Sequence, residues 1–386
     1  MSPERIRRSR SVVGEGEMEA VRRVMDAAYF AMGPEVQAFE QELTAFLGGE
    51  GRQVGCVTTG TAALQLALEA CGVGPGDEVL VPTYTFVASF QAVAATGATP
   101  VACEVELETL FLDVEDAARR VTTRTKAIMP VHFASLCGDL PGVYELARRN
   151  GLRVVEDAAQ AFGCRYQGQR VGATGDVVCF SFDGAKTITS GEGGAVVTAD
   201  TEVAEHVRDA RLLGVQRDTE QRFARDRTWE FDVVVRGYRH HMSDLMAAIG
   251  RVQLARFAEF AAARVRIAQH YDELLDDLSE VRRLPFDFET VVPWCYLIFV
   301  PAERRSGVLA ALESAGAEAS VQYKPNHLLT VFGGGSASFP VAERAYREVI
   351  GLPIHPEVTP DQQQRVADAV RTGLGGGAET RARSFR

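Results

Sequence analysis

A single lysine in a glycine-rich stretch is the first residue whose surroundings suggest chemistry. Lys186 lies in SFDGAKTITSGEGGAVVT, residues 181 to 198, between two apolar runs that are typical of strands. Taken alone, such a lysine is usually a solvated side chain. The glycines, however, let a ligand approach the backbone closely, and burial lowers the pKa of a lysine. A lysine adjusted in this way can act as a Schiff-base nucleophile.

Two other segments carry groups that complement this lysine. Thr59-Gly60-Thr61 lies between a predicted strand and a predicted helix, where free N–H groups and a hydroxyl could bind a phosphate. The alternative there is a threonine N-cap on a core helix. Asp157 ends the apolar run of VVED, and Gln160 follows it by about one helical turn. That carboxylate is either a solvated cap or the partner of a cation at the edge of a sheet.

Together these features match the needs of pyridoxal phosphate. Its phosphate requires helix N–H groups and hydroxyls, its pyridinium nitrogen requires a carboxylate, and its aldehyde requires a lysine. We therefore predict pyridoxal 5'-phosphate as the cofactor, with Lys186 and Asp157 as the catalytic residues.

Composition and charge narrow the class of protein. The chain has 386 residues, 46% of them hydrophobic and 24% charged, with a formal net charge of -11, so we expect no nucleic-acid partner. Its seven cysteines are scattered without a Cys-x-x-Cys pair, and the adjacent His240 and His241 near Asp244 are too few to predict a metal. No signal peptide or membrane-spanning apolar run is present, so we expect a cytoplasmic protein without a membrane partner.

The order of predicted elements indicates an α/β fold. Short apolar runs alternate with helical patterns up to about residue 245, which favours a mostly parallel mixed sheet between helices, with ligands at the carboxyl ends of its strands. We predict a large cofactor-binding domain over residues 1–253 and a smaller C-terminal α/β domain over 254–386, with a frayed tail from about 374. The runs WCYLIFV and EASVQYKPN are the best predicted strands of the smaller domain.

Beyond these features, an ordered series of motifs resembles the DegT/DnrJ/StrS-type nucleotide-sugar aminotransferases, a branch of the fold-type-I pyridoxal phosphate enzymes. The series includes MGPEVQAFEQELTAFLG, TTGTAALQLAL, PGDEVLVPTYTFVAS, VVEDAAQAFG, GDVVCFSFDGAKTITSGEGGAVVT and MSDLMAAIGRVQL, and it covers nearly the whole chain. The resemblance implies that Lys186 forms the Schiff base, that Asp157 faces the pyridine nitrogen and that Gln160 lies near the phenolic oxygen. It also implies a phosphate site made by Gly60, Thr61 and Ser181, with Phe86 stacked on the cofactor.

The resemblance further implies a homodimer whose active sites lie at the subunit interface, with a loop of the neighbouring subunit reaching the phosphate. Many relatives have Gly-Tyr-Asn-Tyr-Arg-Met in that loop, whereas this chain has GYRHHM, so Arg239 takes the place of the asparagine. Asp183 occupies a position often held by histidine. With Tyr323, Lys324 and His327, it is a candidate contact of the nucleotide sugar.

The function implied by the resemblance is amination of a nucleotide-linked keto-deoxysugar with glutamate as the amino donor. The variants VHFAS and SFDGAKTITSGEGG look most like enzymes that aminate C4 of dTDP-4-keto-6-deoxyglucose, and a C3 aminotransferase is the nearest alternative. A pyridoxal-dependent sugar dehydratase, in which histidine replaces the lysine, and a non-catalytic regulator on the same scaffold are further alternatives.

Overall fold

The computed structural model describes residues 5–216, 230–335 and 337–375. The tail predicted to fray from about residue 374 lies almost wholly outside these residues. The helices of the described ranges, numbered in order, are α1 (Glu15–Ala27), α2 (Pro34–Leu47), α3 (Gly60–Ala70), α4 (Val87–Ala95), α5 (Val114–Arg120), α6 (Leu140–Asn150), α7 (Thr201–Ala210), α8 (Asp244–Ala255), α9 (Phe257–Leu274), α10 (Ala302–Ser314), α11 (Pro340–Glu348) and α12 (Pro360–Gly375). The strands are β1 (Gln53–Val57), β2 (Glu78–Pro82), β3 (Thr99–Cys103), β4 (Thr125–Ile128), β5 (Arg153–Asp157), β6 (Arg165–Tyr166), β7 (Gln169–Arg170), β8 (Val177–Ser181), β9 (Gly194–Thr198), β10 (Arg282–Arg283), β11 (Tyr296–Phe299) and β12 (Val349–Leu352).

Seven of these strands form one mixed sheet in the order β1-β9-β8-β5-β4-β2-β3. The pairs from β8 to β3 are all parallel, whereas β9 runs antiparallel to both of its neighbours. The carboxyl ends of β5 and β8 are therefore adjacent at one edge of the sheet, which brings the segments that follow them together. This α/β arrangement confirms the fold class expected from the sequence.

Helices cover both faces of this sheet, as the nearly continuous apolar strands require. Alternate residues of β8 point to opposite sides: Val177 and Cys179 pack with α3, α4 and α7, while Val178 and Phe180 pack with α2 and α8. Because both faces of the sheet are buried in apolar contacts, polar groups at the ends of its strands are held on a rigid support.

A smaller antiparallel sheet, β10-β11-β12, packs with α9, α10 and α12 in the C-terminal half. Ile6, from the start of the chain, is also buried in this core. The predicted domain boundary near residue 253 falls inside α8, and it stays a prediction. None of the described helices is long and apolar enough to cross a membrane.

The predicted strand EASVQYKPN is wrong in the structure. Within it only Ser320 pairs as in a sheet, through reciprocal backbone hydrogen bonds with Gly351 of 3.1 and 2.7 Å. The chain then leaves the small sheet, and the Asn326 N–H donates to the Thr83 carbonyl at 2.8 Å. This segment therefore connects the small sheet to the loop that follows β2 of the large one.

Candidate active site

Lys186 lies in the turn between β8 and β9, and hydrogen bonds of Asp183 hold that turn. The Asp183 Oδ1 accepts from the Ala185 N–H at 3.0 Å, and its carbonyl accepts from the Lys186 N–H at 3.0 Å. The Lys186 Nζ lies 4.5 Å from the centroid of the Trp294 ring, and the indole N–H of Trp294 donates to the Ala185 carbonyl at 2.9 Å. The lysine side chain thus packs against the face of the Trp294 ring.

The electrostatic setting of Lys186 favours its neutral form. Burial lowers its pKa below the ordinary value, and the negative charges of Asp157 and Asp183 only partly oppose this shift. A neutral amine is the nucleophilic and basic form of lysine, so a lowered pKa shifts Lys186 in the direction that covalent chemistry requires.

Asp157 is the last residue of β5, and its carboxylate is buried at the carboxyl edge of the sheet. Its Oδ2 accepts from the Ser89 hydroxyl at 2.8 Å, and its Oδ1 accepts from the Ala159 N–H at 3.1 Å. The preceding Glu156 is instead bound by the Tyr144 hydroxyl at 2.6 Å and the His132 Nε2 at 2.7 Å. The two acids of this strand end therefore have separate partners.

Gln160 follows in the turn after β5, and its side chain is buried. Its Oε1 accepts from the Ala134 N–H at 2.8 Å, and its own carbonyl accepts from the Ser135 hydroxyl at 2.6 Å. In the described ranges no hydrogen bond uses its Nε2. Since the amide oxygen is fixed, the amide NH₂ is oriented and remains able to donate to a ligand.

The segment Thr59-Gly60-Thr61 opens α3 directly after β1. Thr59 is the N-cap, because its hydroxyl accepts from the Ala62 N–H at 3.0 Å. The Gly60 and Thr61 N–H groups lack a hydrogen-bond partner in the described residues, and Thr61 is exposed. A Cβ at Gly60 would lie 2.7 Å from the Ser181 Cβ, so only glycine allows this close approach. The helix start and the end of β8 thus form one small polar cradle.

Aromatic side chains border the open side of the site. Phe86 is 52% exposed, and its ring centroid lies 5.3 Å from that of Tyr323. Lys324, the next residue in the sequence after Tyr323, is exposed. His327 is buried instead, with its Nδ1 2.8 Å from the Thr83 hydroxyl and its ring 4.6 Å from that of Phe339. Tyr323 therefore packs against Phe86, whereas His327 is held in an internal network.

Arg239 lies on a segment that runs alongside the end of β1. The neighbouring His240 carbonyl accepts from the Thr58 N–H at 2.7 Å, and the Tyr238 hydroxyl donates to Glu69 at 2.8 Å. The Arg239 side chain is exposed and has no acidic partner in the described part of the chain. Its guanidinium is therefore available to a ligand or to a second subunit.

The acid next to the two histidines has a structural role. The Asp244 Oδ1 accepts from the Gly33 and Val36 N–H groups at 2.9 and 3.1 Å, which caps α2. Among the described residues, no three His, Cys, Asp or Glu side chains are grouped as metal ligands.

Two features of the site were missed by sequence analysis. One is Trp294, which lies over Lys186 but more than a hundred positions away in the sequence. The other is the N-terminal segment, residues 6–12, whose Ser11 hydroxyl donates to the Gly184 carbonyl at 2.6 Å. Neither had a local signal, because an isolated tryptophan and a basic N-terminus occur on many surfaces.

Comparisons with known proteins show which proteins the chain resembles. Residues 12–371 match the model of the DegT/DnrJ/EryC1/StrS aminotransferase family. The chain is 38% identical to the dTDP-3-amino-3,4,6-trideoxy-alpha-D-glucose transaminase of Streptomyces venezuelae, over 91% of this chain and 90% of that protein. It is 32% identical to the dTDP-4-dehydro-2,3,6-trideoxy-D-glucose 4-aminotransferase of Saccharopolyspora spinosa, over 92% and 94%. The solved PLP form of Spr1654 from Streptococcus pneumoniae superposes with a TM-score of 0.88 at 27% identity, over 96% of this chain and 98% of that one.

Proposed function

The chain belongs to the DegT/DnrJ/EryC1/StrS aminotransferase family, and from that premise we propose that it transfers an amino group from glutamate to a keto group of a nucleotide-linked deoxysugar. Pyridoxal phosphate is the cofactor of this family and of this enzyme. The observation that carries the proposal is the position of Lys186, partly buried between Trp294 and the carboxylates of Asp157 and Asp183.

The groups at the site fit this cofactor. The N–H groups of Gly60 and Thr61, which have no partner among the described residues, would hold the phosphate together with the nearby Ser181 hydroxyl. The Asp157 carboxylate, fixed by two hydrogen bonds, would pair with the pyridinium nitrogen. The free amide NH₂ of Gln160 would donate to the phenolic oxygen.

Two further side chains would complete the cofactor site. Phe86, exposed at the open side, would cover the ring face. Arg239 would bind the phosphate across a subunit interface, where its charge strengthens the contact that a neutral asparagine makes in many relatives.

When bound, pyridoxal phosphate supplies a carbonyl that takes up the amino group and a ring that withdraws negative charge from the adjacent carbon. Lys186 Nζ is the base in this scheme: it removes the proton from the α-carbon of the amino donor, and in the second half reaction it delivers a proton to the sugar carbon that receives the nitrogen. The lowered pKa of Lys186 favours the neutral state that the first of these steps needs. Asp157 keeps the ring nitrogen protonated throughout. Two separate half reactions imply ping-pong kinetics.

We propose dTDP-4-keto-6-deoxyglucose as the acceptor, with the new amine at C4. The sequence variants VHFAS and SFDGAKTITSGEGG support this position, as does the relative from Saccharopolyspora spinosa whose name specifies a 4-aminotransferase. Tyr323 and Lys324 at the cleft, and Asp183 in the lysine turn, are the candidate contacts of the nucleotide sugar. His327 could take part only if its buried ring turned away from Thr83.

Amination at C3 is the second candidate, and one observation favours it. The identity of 38% to the 3-amino enzyme of Streptomyces venezuelae exceeds the 32% to the 4-aminotransferase. A sugar dehydratase and a non-catalytic regulator have less support, since both Lys186 and Asp157 are retained and placed together.

The substrate is tested by incubating the holoenzyme with dTDP-4-keto-6-deoxyglucose and glutamate and locating the new amine by NMR. A 4-amino-4,6-dideoxy product is expected. Two results would favour amination at C3 instead of C4. One is a product with its amine at C3, and the other is conversion of a 3-keto sugar when dTDP-4-keto-6-deoxyglucose gives no product. No transfer to any nucleotide-linked keto sugar would contradict the proposed function as a whole.

A further inference from the structure

The N-terminal segment, residues 6–12, is bound to both halves of the molecule next to Lys186. The Arg8 carbonyl accepts from the Ile354 N–H at 3.0 Å, just beyond β12 of the small sheet. Three residues later, the Ser11 hydroxyl donates to the Gly184 carbonyl at 2.6 Å, within the turn that carries the lysine. The backbone between these two contacts must therefore pass along the side of the active-site cleft.

Of the arginines in this segment, Arg7 and Arg8 have no acidic partner among the described residues, but Arg7 is exposed to solvent whereas Arg8 is partly buried. Arg5 pairs with Glu318 at 2.9 Å, and Arg10 pairs with Glu357 at 2.5 Å. The Arg8 side chain is half-buried, and in the described residues no carboxylate lies within ion-pair distance of its guanidinium. A partly desolvated cation without an anion is costly unless a ligand supplies the missing charge.

The charge of Arg8 acts on three groups that surround the site. Burial is the main cause of the shifted pKa values of Lys186, Cys295 and Tyr323, and the positive charge of Arg8 contributes to the electrostatic environment of all three. These residues come from three different parts of the chain, so the charge of Arg8 is close enough to act on all three. The backbone contacts of the segment agree with this, since Arg8 is joined to Ile354 and Ser11 to the lysine turn.

We propose that Arg8 binds a carboxylate of the amino donor. The donor must present its α-carbon to the Lys186 Nζ, and a carboxylate is bonded directly to that carbon. An acidic donor therefore brings its negative charge to the side of the cleft where Arg8 stands unpaired. A guanidinium binds a carboxylate through two parallel hydrogen bonds, which would also orient the α-carbon toward the lysine. This inference rests on the proposed function, because it presupposes an amino acid as donor.

The test compares Arg8→Gln and Arg8→Lys with Arg10→Gln as a matched control on the same segment. For each holoenzyme, glutamate is titrated without sugar while the cofactor absorbance is followed, and 2-oxoglutarate binding is measured by calorimetry. Loss of a charge-assisted hydrogen-bond pair should weaken the binding of both compounds about 10- to 100-fold in Arg8→Gln. The lysine variant should recover part of this loss, and Arg10→Gln should stay close to the wild type.

Folding of the variants is not expected to change, because the anchoring hydrogen bonds of Arg8 use its backbone. Thermal unfolding of each holoenzyme checks this. Equal glutamate and 2-oxoglutarate affinities in the wild type and Arg8→Gln would overturn the inference and leave the proposed function intact. Weakened binding of the nucleotide sugar alone would overturn it too, since the anion would then be the diphosphate. A wild-type enzyme that accepts no amino acid donor would contradict both.

Discussion

Burial and the neighbouring carboxylates shift the pKa of the Lys186 ammonium group in opposite directions. Burial lowers its pKa, whereas Asp157 and Asp183 raise it, and burial has the larger effect. Asp183 has a second role, because its Oδ1 accepts the Ala185 N–H and so shapes the turn. The residue whose purpose is least evident from the sequence thus acts on both the position and the charge of the lysine.

These two roles of Asp183 can be separated by Asp183→Asn. Asparagine keeps an Oδ1 acceptor for the Ala185 N–H but removes the negative charge, so the pKa of Lys186 should fall further. Amine labelling of the apo-protein at a series of pH values, read for the Lys186 peptide by mass spectrometry, measures this midpoint. The wild-type midpoint should lie below the value of about 10.4 for a free lysine, and that of the variant lower still.

Asp361→Asn, a change of an exposed acid at the start of α12, is the control and should leave the midpoint where it is. An unchanged or higher midpoint in Asp183→Asn would show that the negative charge of Asp183 does not raise the pKa of Lys186.

The sequence predicted the site residues that lie at the ends of strands, but not those that reach the site from distant parts of the chain. Asp157 and Ser181 end apolar runs, and the carboxyl ends of neighbouring parallel strands must lie together, so their proximity followed from the pattern. Trp294 and Arg8 instead belong to segments that lie next to the small sheet, just before β11 and against the chain after β12. No local pattern encodes that packing, because it depends on contacts between residues that are far apart in the sequence.

Among the secondary-structure elements, α3 begins with two threonines that look alike in the sequence but have different surroundings. Thr59 caps the helix through the Ala62 N–H, whereas Thr61 is exposed at the cradle formed with Ser181. Thr59 therefore has the N-cap role, and the phosphate site stays a prediction for Gly60 and Thr61.

Alanine variants should separate these roles. Thr59→Ala should lower the free energy of unfolding by about 1 kcal/mol, the usual cost of losing an N-cap hydroxyl. Thr61→Ala should change it by less than about 0.5 kcal/mol while weakening the affinity of the apo-protein for pyridoxal phosphate. Urea unfolding and cofactor titration measure the two effects. A stable Thr59→Ala, or a Thr61→Ala with undiminished cofactor affinity, would contradict this division.

The segment EASVQYKPN, predicted as a strand but not one in the structure, shows where an alternating pattern of apolar and polar residues is misleading. Its apolar and polar residues alternate as in a strand, yet the chain after Ser320 has to cross to Thr83 and leaves the small sheet. The alternation is misleading about burial as well, since the polar Gln322 is buried whereas the apolar Val321 and Tyr323 are only partly buried.

At the scale of the whole molecule, exposed apolar side chains favour a partner surface. Met18, Met25, Tyr29 and Phe30, on and just after α1, are between 44% and 54% exposed. Phe231, Val233 and Val234 are also exposed, on the segment that leads to Arg239. Exposed apolar groups in such numbers are typical of an interface, which supports the proposed homodimer.

A mixing experiment tests whether the Arg239 of one subunit serves the site of the other. If it does, Arg239→Glu and Lys186→Ala homodimers should each be weakly active or inactive. Unfolding and refolding them together should restore activity, because one site of each mixed dimer then holds an intact lysine and an intact arginine. If Arg239 acts on its own chain, mixing should restore nothing.

The most direct test of the proposed role of Lys186 is to identify the lysine to which pyridoxal phosphate is attached. The holoenzyme is reduced with borohydride, digested and analysed by mass spectrometry, with Lys186→Ala treated in parallel. We expect pyridoxal phosphate to be attached to the peptide that contains Lys186 and to be absent from the variant, which should lack the yellow colour of the wild type. Attachment at another lysine, or equal attachment in the variant, would contradict the account.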